Sequence, residues 1–579
     1  MLKVENKILA KASAVLSSAY PNFSGDGLSL SFSPEIKFGD FALPCFLLAK
    51  EFKTSPMEVA ATIAATLFGD DYFVKVEAAG PYVNFTVKPE FLFEDLMNLD
   101  QTDCVLSAGE RIILEYLSPN TNKPLHLGHV RNGCLGMAMA NILAYTGYDV
   151  TRASLVNDRG IHICKSMLAW QKFGNGETPE STGEKGDHFV GRYYVKFAQE
   201  SDNDPKLIEE AQAMLQKWEA RDPEILSLWH TMNTWVYSGF EKTYKTLGFN
   251  FDKFYYESEL YNLGKDIVAD GLKAGVLKKE ADGSIAFPLP VDKFGLDQDD
   301  NEKRVTLLRG DGTSVYITQD LGVAHKRFVE EKFSQAVYVV GSEQIYHFKC
   351  LIEVLAALGF AWAKNIRHLS YGMVYLPEGK MKSREGKVID ADNLAAELID
   401  LAKAAVLERN SDASIDNAEI ALRASKIGLG ALKFFILRVG ADVDIHFNPK
   451  ESISFDGVTG PYCQYAFARI NSILHKASDF DLAQADLSLL GNLEERFLAQ
   501  KILALPRKIK EAATTSNPSL VAGGVYEIAK AFNQFYHHHQ ILGEEDKNLS
   551  LARLALIKKT ADTIKSGLNL LGVETLAIM

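Results

Sequence analysis

The spacing of hydrophobic and polar positions divides the chain of 579 residues into three regions. In residues 1–105, apolar positions with helical spacing are followed by a strand-like alternation, which predicts an α+β domain. Residues 106–401 alternate buried-strand and helix patterns, as expected of an α/β domain with a doubly wound, Rossmann-like parallel sheet. Residues 402–579 show no strand pattern, and their helical periodicity predicts a C-terminal helical bundle.

Individual elements follow from the same patterns. The N-terminal region predicts a helix over 57–67 and a strand over 74–78. Polar runs at 174–181 and 297–302 indicate loops of insertions in the central sheet. The helical segments predicted in the C-terminal region cover residues 419–437, 460–476, 493–514, 520–542 and 549–571.

The composition is that of a folded, water-soluble protein. Hydrophobic residues make up 47% of the chain and charged residues 24%. The first residues, 1–7, lack a long apolar segment, and no run of about 18 apolar residues occurs along the chain. The sequence therefore predicts a cytoplasmic protein that makes no contact with a membrane.

Two features of the composition limit the possible ligands. Six cysteines, scattered without a Cys-x-x-Cys pair, argue against structural zinc and against a disulfide framework, so no metal site of the protein's own is predicted. A net charge of −13 argues against a generally basic nucleic-acid binder. A local basic track, such as Arg507, Lys508 and Lys510 in one helical segment, is still compatible with RNA binding.

The most informative segment lies between a predicted strand and a predicted helix. A strand-like run at 111–117 ends in a segment that contains His126, Gly128 and His129, and an apolar, small-residue helix extends from Asn132. Phosphates bind where a strand end meets a helix N-terminus, and two imidazoles there can donate to the oxygens of ATP. A glycine lets adenine lie against the backbone. The pattern favours adenylyl transfer; the alternative is two ordinary histidines at a helix start.

A second candidate segment follows a predicted strand over 371–375. It carries Lys380, Lys382, Arg384 and Lys387 between glycine residues. Such a basic loop can close over a triphosphate and neutralise the charge that develops during attack at the α-phosphorus. The alternative is a solvated surface turn.

Together, the two segments resemble the HIGH and KMSKS motifs of class I aminoacyl-tRNA synthetases. The arginyl-tRNA synthetase family is the closest match within that class, because its S-P-N-x-x-K-P-x-H-x-G-H string is unbroken at 118–129. Its Y-x-x-x-D and V-G-x-x-Q-x-x-H-F strings appear at 316–320 and 340–348. Segments that resemble the family's N-terminal and anticodon-binding domains are 39–41, 79–85 and 464–470.

The resemblance implies which residues bind ATP and catalyse its reaction. These residues are Lys123, His126, Gly128, His129, Gly341, Val374, Lys380 and Lys382. Ser383 stands where the usual motif of the class has its second lysine, and the resemblance implies that Lys123 supplies that charge instead.

The resemblance also implies an arginine pocket. Carboxylates in fixed geometry recognise a guanidinium because it is planar and always charged. The resemblance assigns this role to Asp320, with Tyr316 as a wall of the pocket and Glu257 as a second carboxylate. The alternative for Asp320 is a carboxylate that faces a helix dipole. The residues implied for the α-amino and α-carboxylate groups of arginine are Glu115, Asn120 and Gln344.

The implied reaction joins L-arginine to tRNA(Arg) through arginyl-adenylate. ATP is then a substrate, Mg²⁺ accompanies its triphosphate, and the protein is expected to be a monomer. Two alternatives remain open at the level of sequence. One is a small-molecule nucleotidyltransferase of the same histidine-motif superfamily that uses no RNA, and the other is an inactive, RNA-binding synthetase paralogue.

Overall fold

The computed structural model describes residues 2–25, 27–375, 389–409 and 416–579. The basic segment with Lys380 and Lys382 lies outside this described part. Among the described residues, every helix is too short or too polar to cross a bilayer.

The N-terminal region is an α+β domain, as predicted. Its elements are α1 (Lys3–Ala19), β1 (Ser31–Phe32), β2 (Phe41–Pro44), α2 (Phe46–Phe52), α3 (Pro56–Thr66), β3 (Phe73–Ala79), β4 (Tyr82–Val87) and α4 (Pro89–Asn98). The strands form an antiparallel sheet in the order β1-β2-β4-β3. Helix α3 begins close to the predicted position because Ser55 and Glu58 form a capping box around Pro56, the first helical residue.

The central region alternates strands and helices around one parallel sheet. Its elements are β5 (Arg111–Glu115), α5 (Leu127–Tyr145), β6 (Asp149–Val156), α6 (Ile161–Phe173), α7 (Pro179–Thr182), α8 (Gly186–Asn203), α9 (Lys206–Glu219), α10 (Pro223–Leu247), β7 (Lys253–Tyr256), α11 (Glu257–Leu260), α12 (Lys265–Lys273), β8 (Lys278–Lys279), β9 (Ile285–Pro288), α13 (Val291–Phe294), β10 (Arg304–Leu308), α14 (Tyr316–His325), β11 (Gln335–Gly341), α15 (Ile345–Ala357), β12 (Ile366–Tyr371), β13 (Val374–Tyr375) and α16 (Ala391–Arg409).

The parallel sheet has the strand order of a Rossmann fold. Its five strands lie in the order β12-β11-β5-β6-β7, and every neighbouring pair is parallel. In chain order this is 3-2-1-4-5 with its direction of winding reversed between β5 and β11. Ligands bind outside the carboxyl ends of the strands at such a reversal. The predicted fold is confirmed, and the histidine segment follows β5 at this point.

Glycines bring helix α5 close against the polypeptide that it covers. A Cβ atom at Gly136 would lie 2.2 Å from the ring of Tyr116, and one at Gly133 would lie 2.5 Å from the ring of Phe249. Both distances are far below a normal contact between carbon atoms. The small residues of this helix, already visible in the sequence, therefore serve its packing.

The C-terminal region is helical, as predicted. Its elements are α17 (Asn417–Leu437), β14 (Ile445–His446), α18 (Pro449–Ser452), α19 (Gly460–Lys476), α20 (Leu493–Thr515), α21 (Ser519–His538) and α22 (Lys547–Leu570). The five predicted helices are present with small shifts at their ends. The predicted absence of strands after residue 402 is wrong at β14, which pairs in parallel with β13. Two residues are too few for a strand periodicity to appear in the sequence.

The chain folds into two compact units. One unit consists of residues 107–404 and 435–452, and it contains the parallel sheet. The other combines residues 1–106 with 405–434 and 453–579. The N-terminal domain is thus part of the same unit as most of the C-terminal helices.

Buried polar contacts hold this second unit together. The guanidinium of Arg496 in α20 lies 2.9 Å from a carboxylate oxygen of Asp40, and both side chains are at most 6% exposed. The side-chain amide of Gln500 donates to the carbonyl of Ser33 at 3.0 Å, and Arg507 pairs with Glu5. The N-terminal domain therefore obtains ionic partners from a helix that is encoded more than 400 residues later.

Candidate active site

Helix α5 begins at the histidine motif, where two imidazoles cap its first turn. The Nδ1 atom of His126 accepts a hydrogen bond from the backbone N–H of Gly128 at 3.1 Å. The Nδ1 atom of His129 accepts one from the backbone N–H of His126 at 3.1 Å. Histidines here replace the usual serine and glutamate of a capping box. The helix therefore begins at Leu127, earlier than the expected start near Asn132, and the ring centroids lie 3.9 Å apart.

Both imidazoles are neutral at pH 7. Burial, assisted by the charge of Lys123, lowers the pKa of His126 to about 4. Burial, assisted by His126 and Lys123, holds the pKa of His129 well below its usual value. Because each Nδ1 accepts a hydrogen bond, the proton of each neutral ring lies on Nε2. The motif thus presents one N–H donor on each ring without a positive charge.

A cavity of about 560 Å³ lies beside the motif. Asn120, Lys123 and His126 line it, together with residues of α8 such as Arg192 and Tyr194. Burial lowers the pKa of Lys123, because removal of an ammonium group from water favours its neutral form. An anion beside this lysine would reverse that effect, so the cavity favours phosphate groups.

A buried amide holds the turn that precedes the motif. Leu117 has a φ angle of +53°, which is uncommon for a residue other than glycine. Its N–H donates to Oδ1 of Asn132 at 2.7 Å, and its carbonyl accepts from the hydroxyl of Ser154. The Nδ2 atom of Asn132 donates to the carbonyl of Val339 at 2.8 Å and to the hydroxyl of Tyr371 at 3.1 Å. Asn132 therefore connects α5 with the turn after β5 and with strands β11 and β12.

Arg131, the neighbour of Asn132, is buried among backbone carbonyls. Its guanidinium donates to the carbonyls of Gly372, Met373, Ala441 and Val443 at distances of 2.5–2.9 Å. Burial lowers the pKa of this arginine to about 10, which leaves it charged at pH 7. The first turns of α5 are thereby fixed to the segments that contain β13 and β14. Sequence reasoning missed this role, although an arginine within an apolar helix is itself a signal of buried partners.

Two further residues that were predicted to bind ATP, Gly341 and Val374, lie on strands. Gly341 ends β11, and a Cβ atom there would lie 2.6 Å from the carboxylate of Glu343. Val374 begins the short strand β13 and is buried. The predicted roles of Lys380 and Lys382 fall outside the described residues.

Glu115, predicted to bind the backbone end of arginine, is paired with an arginine of the chain itself. Its carboxylate contacts Arg327, whose side chain is fully buried and lies in a π-helical turn after α14. The rings of Tyr255 and Tyr338 lie 4.7 and 5.1 Å from this guanidinium. Sequence reasoning missed this ion pair, which lies at the carboxyl end of β5.

Asp320, in α14, and Glu257, at the start of α11, are close enough to interact electrostatically. Asp320 lies 2.6 Å from Nε2 of His347 through one carboxylate oxygen. Glu257 accepts from Gln319 at 3.4 Å. Burial raises the pKa of Glu257; the charge of Arg159 opposes this shift, and that of Asp320 adds to it. The structure thus brings the two predicted guanidinium ligands near each other.

The remaining residues predicted for the arginine pocket are exposed. Tyr316 begins α14 with 79% of its surface accessible. Asn120 forms an isolated bridge with Asn157, and Gln344 directly precedes α15. Exposed polar and aromatic side chains at the carboxyl edge of the sheet are suited to contact a ligand that binds there.

A cluster of charged residues lies on the α8 side of the cavity. Three residues each offer one atom that could bind a metal ion, and these atoms lie within 4.8 Å of one another: Asp187, His188 and Asp392. The ammonium of Lys185, however, already lies 3.0 Å from Asp187 and 2.6 Å from Asp392. We therefore interpret the cluster as an ion-pair network, because a lysine occupies the place of the cation.

Comparison with known proteins places this geometry in a family. An arginine–tRNA ligase from Bacteroides fragilis is 43% identical over 99% of both chains. One from Treponema denticola is 43% identical over 95% of both chains. The solved arginyl-tRNA synthetase of Thermus thermophilus has the same fold, with a TM-score of 0.79, 24% identity and coverage of 99% of this chain and 100% of that one. That of Plasmodium falciparum superposes with a TM-score of 0.80 at 17% identity over all of both chains.

Family models match nearly the whole chain. The model described as tRNA synthetases class I (R), catalytic domain, matches residues 94–448. The Arginyl tRNA synthetase N terminal domain matches residues 6–87, and the DALR anticodon binding domain matches residues 463–579. Fold and histidine site together define a class I aminoacyl-tRNA synthetase. The chain belongs to the arginyl-tRNA synthetase family, the ligases that use ATP to join arginine to tRNA.

Proposed function

We propose that the chain attaches L-arginine to tRNA(Arg) in two steps, through arginyl-adenylate. The observation that carries this proposal is the pair of neutral imidazoles, His126 and His129, at the carboxyl edge of the sheet where the strand order reverses. Their Nε2–H groups are suited to donate to phosphate oxygens as negative charge develops there. An imidazole without a positive charge supplies this donor without binding the ground-state phosphates too tightly.

In the first step, a carboxylate oxygen of arginine attacks the α-phosphorus of ATP. The new P–O bond forms as the bond to the β-phosphate oxygen breaks, and pyrophosphate leaves. His126 and His129 stabilise the developing charge, with Lys123 and Lys380 on the phosphates and Lys382 in a supporting role. The adenosine is bordered by Gly128, Gly341 and Val374.

In the second step, a hydroxyl of the terminal tRNA ribose attacks the arginyl carbonyl, and AMP leaves.

The arginine pocket combines two carboxylates with polar groups for the backbone end. Asp320 uses one oxygen for His347 and keeps the other for the guanidinium. Glu257 supplies the second carboxylate, and Tyr316 covers the side chain. The groups proposed for the α-amino and α-carboxylate ends are Glu115, Asn120 and Gln344.

Mg²⁺ accompanies ATP and neutralises part of the triphosphate charge when it is bound. A general property of this ion and one observation support a cation held mainly by phosphates and water. Mg²⁺ keeps much of its hydration shell in proteins. In this structure, the carboxylates that line the cavity, Glu184 and Asp390, are paired with Arg192 and His188.

The flanking domains provide the RNA contacts in this proposal. Residues 1–105 contact tRNA, residues 106–401 catalyse both steps, and residues 402–579 bind the anticodon. The enzyme acts as a cytoplasmic monomer, and sedimentation at micromolar concentration tests its oligomeric state.

The function is tested by aminoacylation of unfractionated tRNA with each of the twenty amino acids. We expect charging with arginine alone, and release of AMP and pyrophosphate. Charging with another amino acid would reject the proposed specificity. A rate of ATP turnover that depends on neither arginine nor tRNA would indicate the nucleotidyltransferase alternative. Binding of tRNA without ATP turnover would indicate an inactive paralogue.

A further inference from the structure

The histidine motif is paired with a segment from a distant part of the chain. The N–H of Leu127 donates to the carbonyl of Ile389 at 3.0 Å, and the N–H of Ala391 donates to the carbonyl of Leu125 at 3.0 Å. These two bonds place His126 opposite Asp390 in an antiparallel bridge. The backbone of His126 therefore depends on the position of residues 389–391.

The two carboxylate oxygens of Asp390 have different contacts. Its Oδ1 atom caps α16 by accepting from the N–H groups of Asp392 and Asn393 at 2.9 and 3.0 Å. Its Oδ2 atom lies 3.1 Å from Nε2 of His188 in α8. The side chain of Asp390 is 14% exposed and that of His188 is 28% exposed, so water screens this ion pair only in part.

The surroundings of His188 require it to be charged. Its Nε2 atom also lies 3.2 Å from Asp392, so one imidazole faces two carboxylates. These two carboxylates raise the pKa of His188 to about 10, although burial of the ring opposes the shift. Lys185 neutralises Asp392 from the other side and is itself fixed by Asp187 and by the hydroxyl of Thr243. Without a charged His188, Asp390 would lose this ion pair and would lie beside the carboxylate of Asp392.

We propose that His188 is a positioning residue for the proposed adenylation step. It fixes Asp390, and through residues 389–391 it keeps the backbone of His126 in the position from which the imidazole contacts phosphate. His188 does not transfer a proton and does not contact the reacting atoms. Its effect passes through one ion pair and two backbone hydrogen bonds. The inference rests on the proposed function, because its readout is the activation of arginine.

The test uses arginine-dependent ATP–pyrophosphate exchange in the presence of tRNA, with rates expressed per active site titrated by the adenylate burst. His188→Gln keeps a polar side chain but removes the charge. We expect its kcat to fall about tenfold or more, since small displacements of a catalytic group have effects of that size. The KM for arginine should stay within about twofold, because the displaced group contacts ATP.

Four further variants complete the test. Asp390→Asn retains a good helix cap but removes the charge, so it should reproduce the loss in kcat. His188→Lys should recover most of the rate, because it restores a cation next to Asp390. The double variant His188→Gln with Asp390→Asn should be no slower than the slower single variant, since both changes break one interaction. His230→Gln, at an exposed position in α10, should behave like the parent protein.

The outcomes separate the inference from the proposed function. A parent protein without arginine-dependent exchange would reject the function itself. If the parent is active, a kcat for His188→Gln within twofold of the parent would overturn the inference. Multiplied losses in the double variant would do the same, as would a loss of active sites at a normal rate per site.

Discussion

At the scale of single residues, the histidine motif uses each imidazole for two purposes. One ring nitrogen of His126 and of His129 completes a helix cap, and the other remains as a donor. The cap selects the tautomer and the burial removes the charge. Structure and chemistry therefore constrain the same side chain through different atoms.

The two purposes of His126 can be separated by substitution. His126→Asn retains a strong N-cap acceptor but has no group that reproduces Nε2–H. We expect its melting temperature to be close to that of the parent and its kcat for arginine activation to fall roughly a hundredfold, or about 3 kcal/mol. His126→Ala should lose the same rate and also about 1 kcal/mol of stability. An asparagine variant with near-normal kcat would remove His126 from the phosphate site.

The protonation of His126 also predicts a dependence of stability on pH. Its folded pKa is about 4, below the usual 6.5, so the unfolded chain binds the proton more readily. The neutral, buried ring therefore contributes its full stability above pH 6.5, and that contribution is lost as the pH falls toward 4. Between pH 7.5 and 4.5, the parent should lose about 2 to 3 kcal/mol more than His126→Asn. Urea unfolding at both pH values measures this difference, and equal losses would contradict it.

Asp320 has its own prediction in the arginine pocket. Asp320→Asn keeps the shape of the side chain and removes its charge, so arginine affinity should fall by about 2 kcal/mol or more, roughly thirtyfold. Equilibrium dialysis with labelled arginine measures the affinity directly. Asp292→Asn, in the exposed α13 helix, is the control and should bind arginine normally. Unchanged affinity in Asp320→Asn would exclude this carboxylate from the pocket.

Residue types indicated part of this site before the structure did. The location of His126, Gly128 and His129 at a strand-to-helix junction was predictable, because a strand-like run precedes them and an apolar helix follows; their role in phosphate chemistry stays a prediction. The partners of Arg131 and His188 were not predictable, because the bonded residues lie about 200 or more positions away in the sequence. Spacing along a chain carries no information about such distant contacts.

At the scale of elements, helix α5 is the part whose packing is most sensitive. Gly136→Ala would place a methyl group 2.2 Å from Tyr116, so the helix must move away from the strand that precedes the histidine motif. We expect a loss of about 1–3 kcal/mol in stability and a lower kcat. Gly523→Ala is the matched control, because that helical glycine has open space around its Cβ position.

The control should have the opposite sign. Alanine in place of an unhindered glycine within a helix stabilises by roughly 0.5–1 kcal/mol, so Gly523→Ala should raise the melting temperature slightly. Calorimetry on both variants measures the two shifts. A stabilising Gly136→Ala would contradict the close approach of α5 to Tyr116.

The long C-terminal helices lie close to their predicted positions, whereas the start of α5 and the short strand β14 were not predicted correctly. The helices of the C-terminal region were predicted within a few residues, because each has a repeated apolar face that extends over several turns. The start of α5 was predicted too late because histidine is not among the residues usually expected in a capping box. Strand β14 was missed because two residues show no period.

At the scale of the whole molecule, stability of the N-terminal domain depends on the C-terminal helices. Arg496→Met leaves Asp40 buried without its cation, which typically costs about 3–5 kcal/mol. We expect earlier unfolding and faster proteolysis within residues 1–106. Arg496→Met combined with Asp40→Asn should recover much of that loss, because no buried charge is then left unpaired and the asparagine can still accept from Val87. Equal damage in the single and double variants would contradict this account.

The same ion pair limits when the N-terminal domain can form all of its contacts during synthesis. Asp40 and Arg496 are 456 positions apart, so the ribosome releases the aspartate long before the arginine exists. Until then, the carboxylate of Asp40 and the backbone carbonyl of Ser33 lack their partners in α20, so water must hydrate them. A chain that ends before α20 would therefore leave Asp40 without Arg496, and proteases should cleave its N-terminal domain more readily than that of the full-length protein.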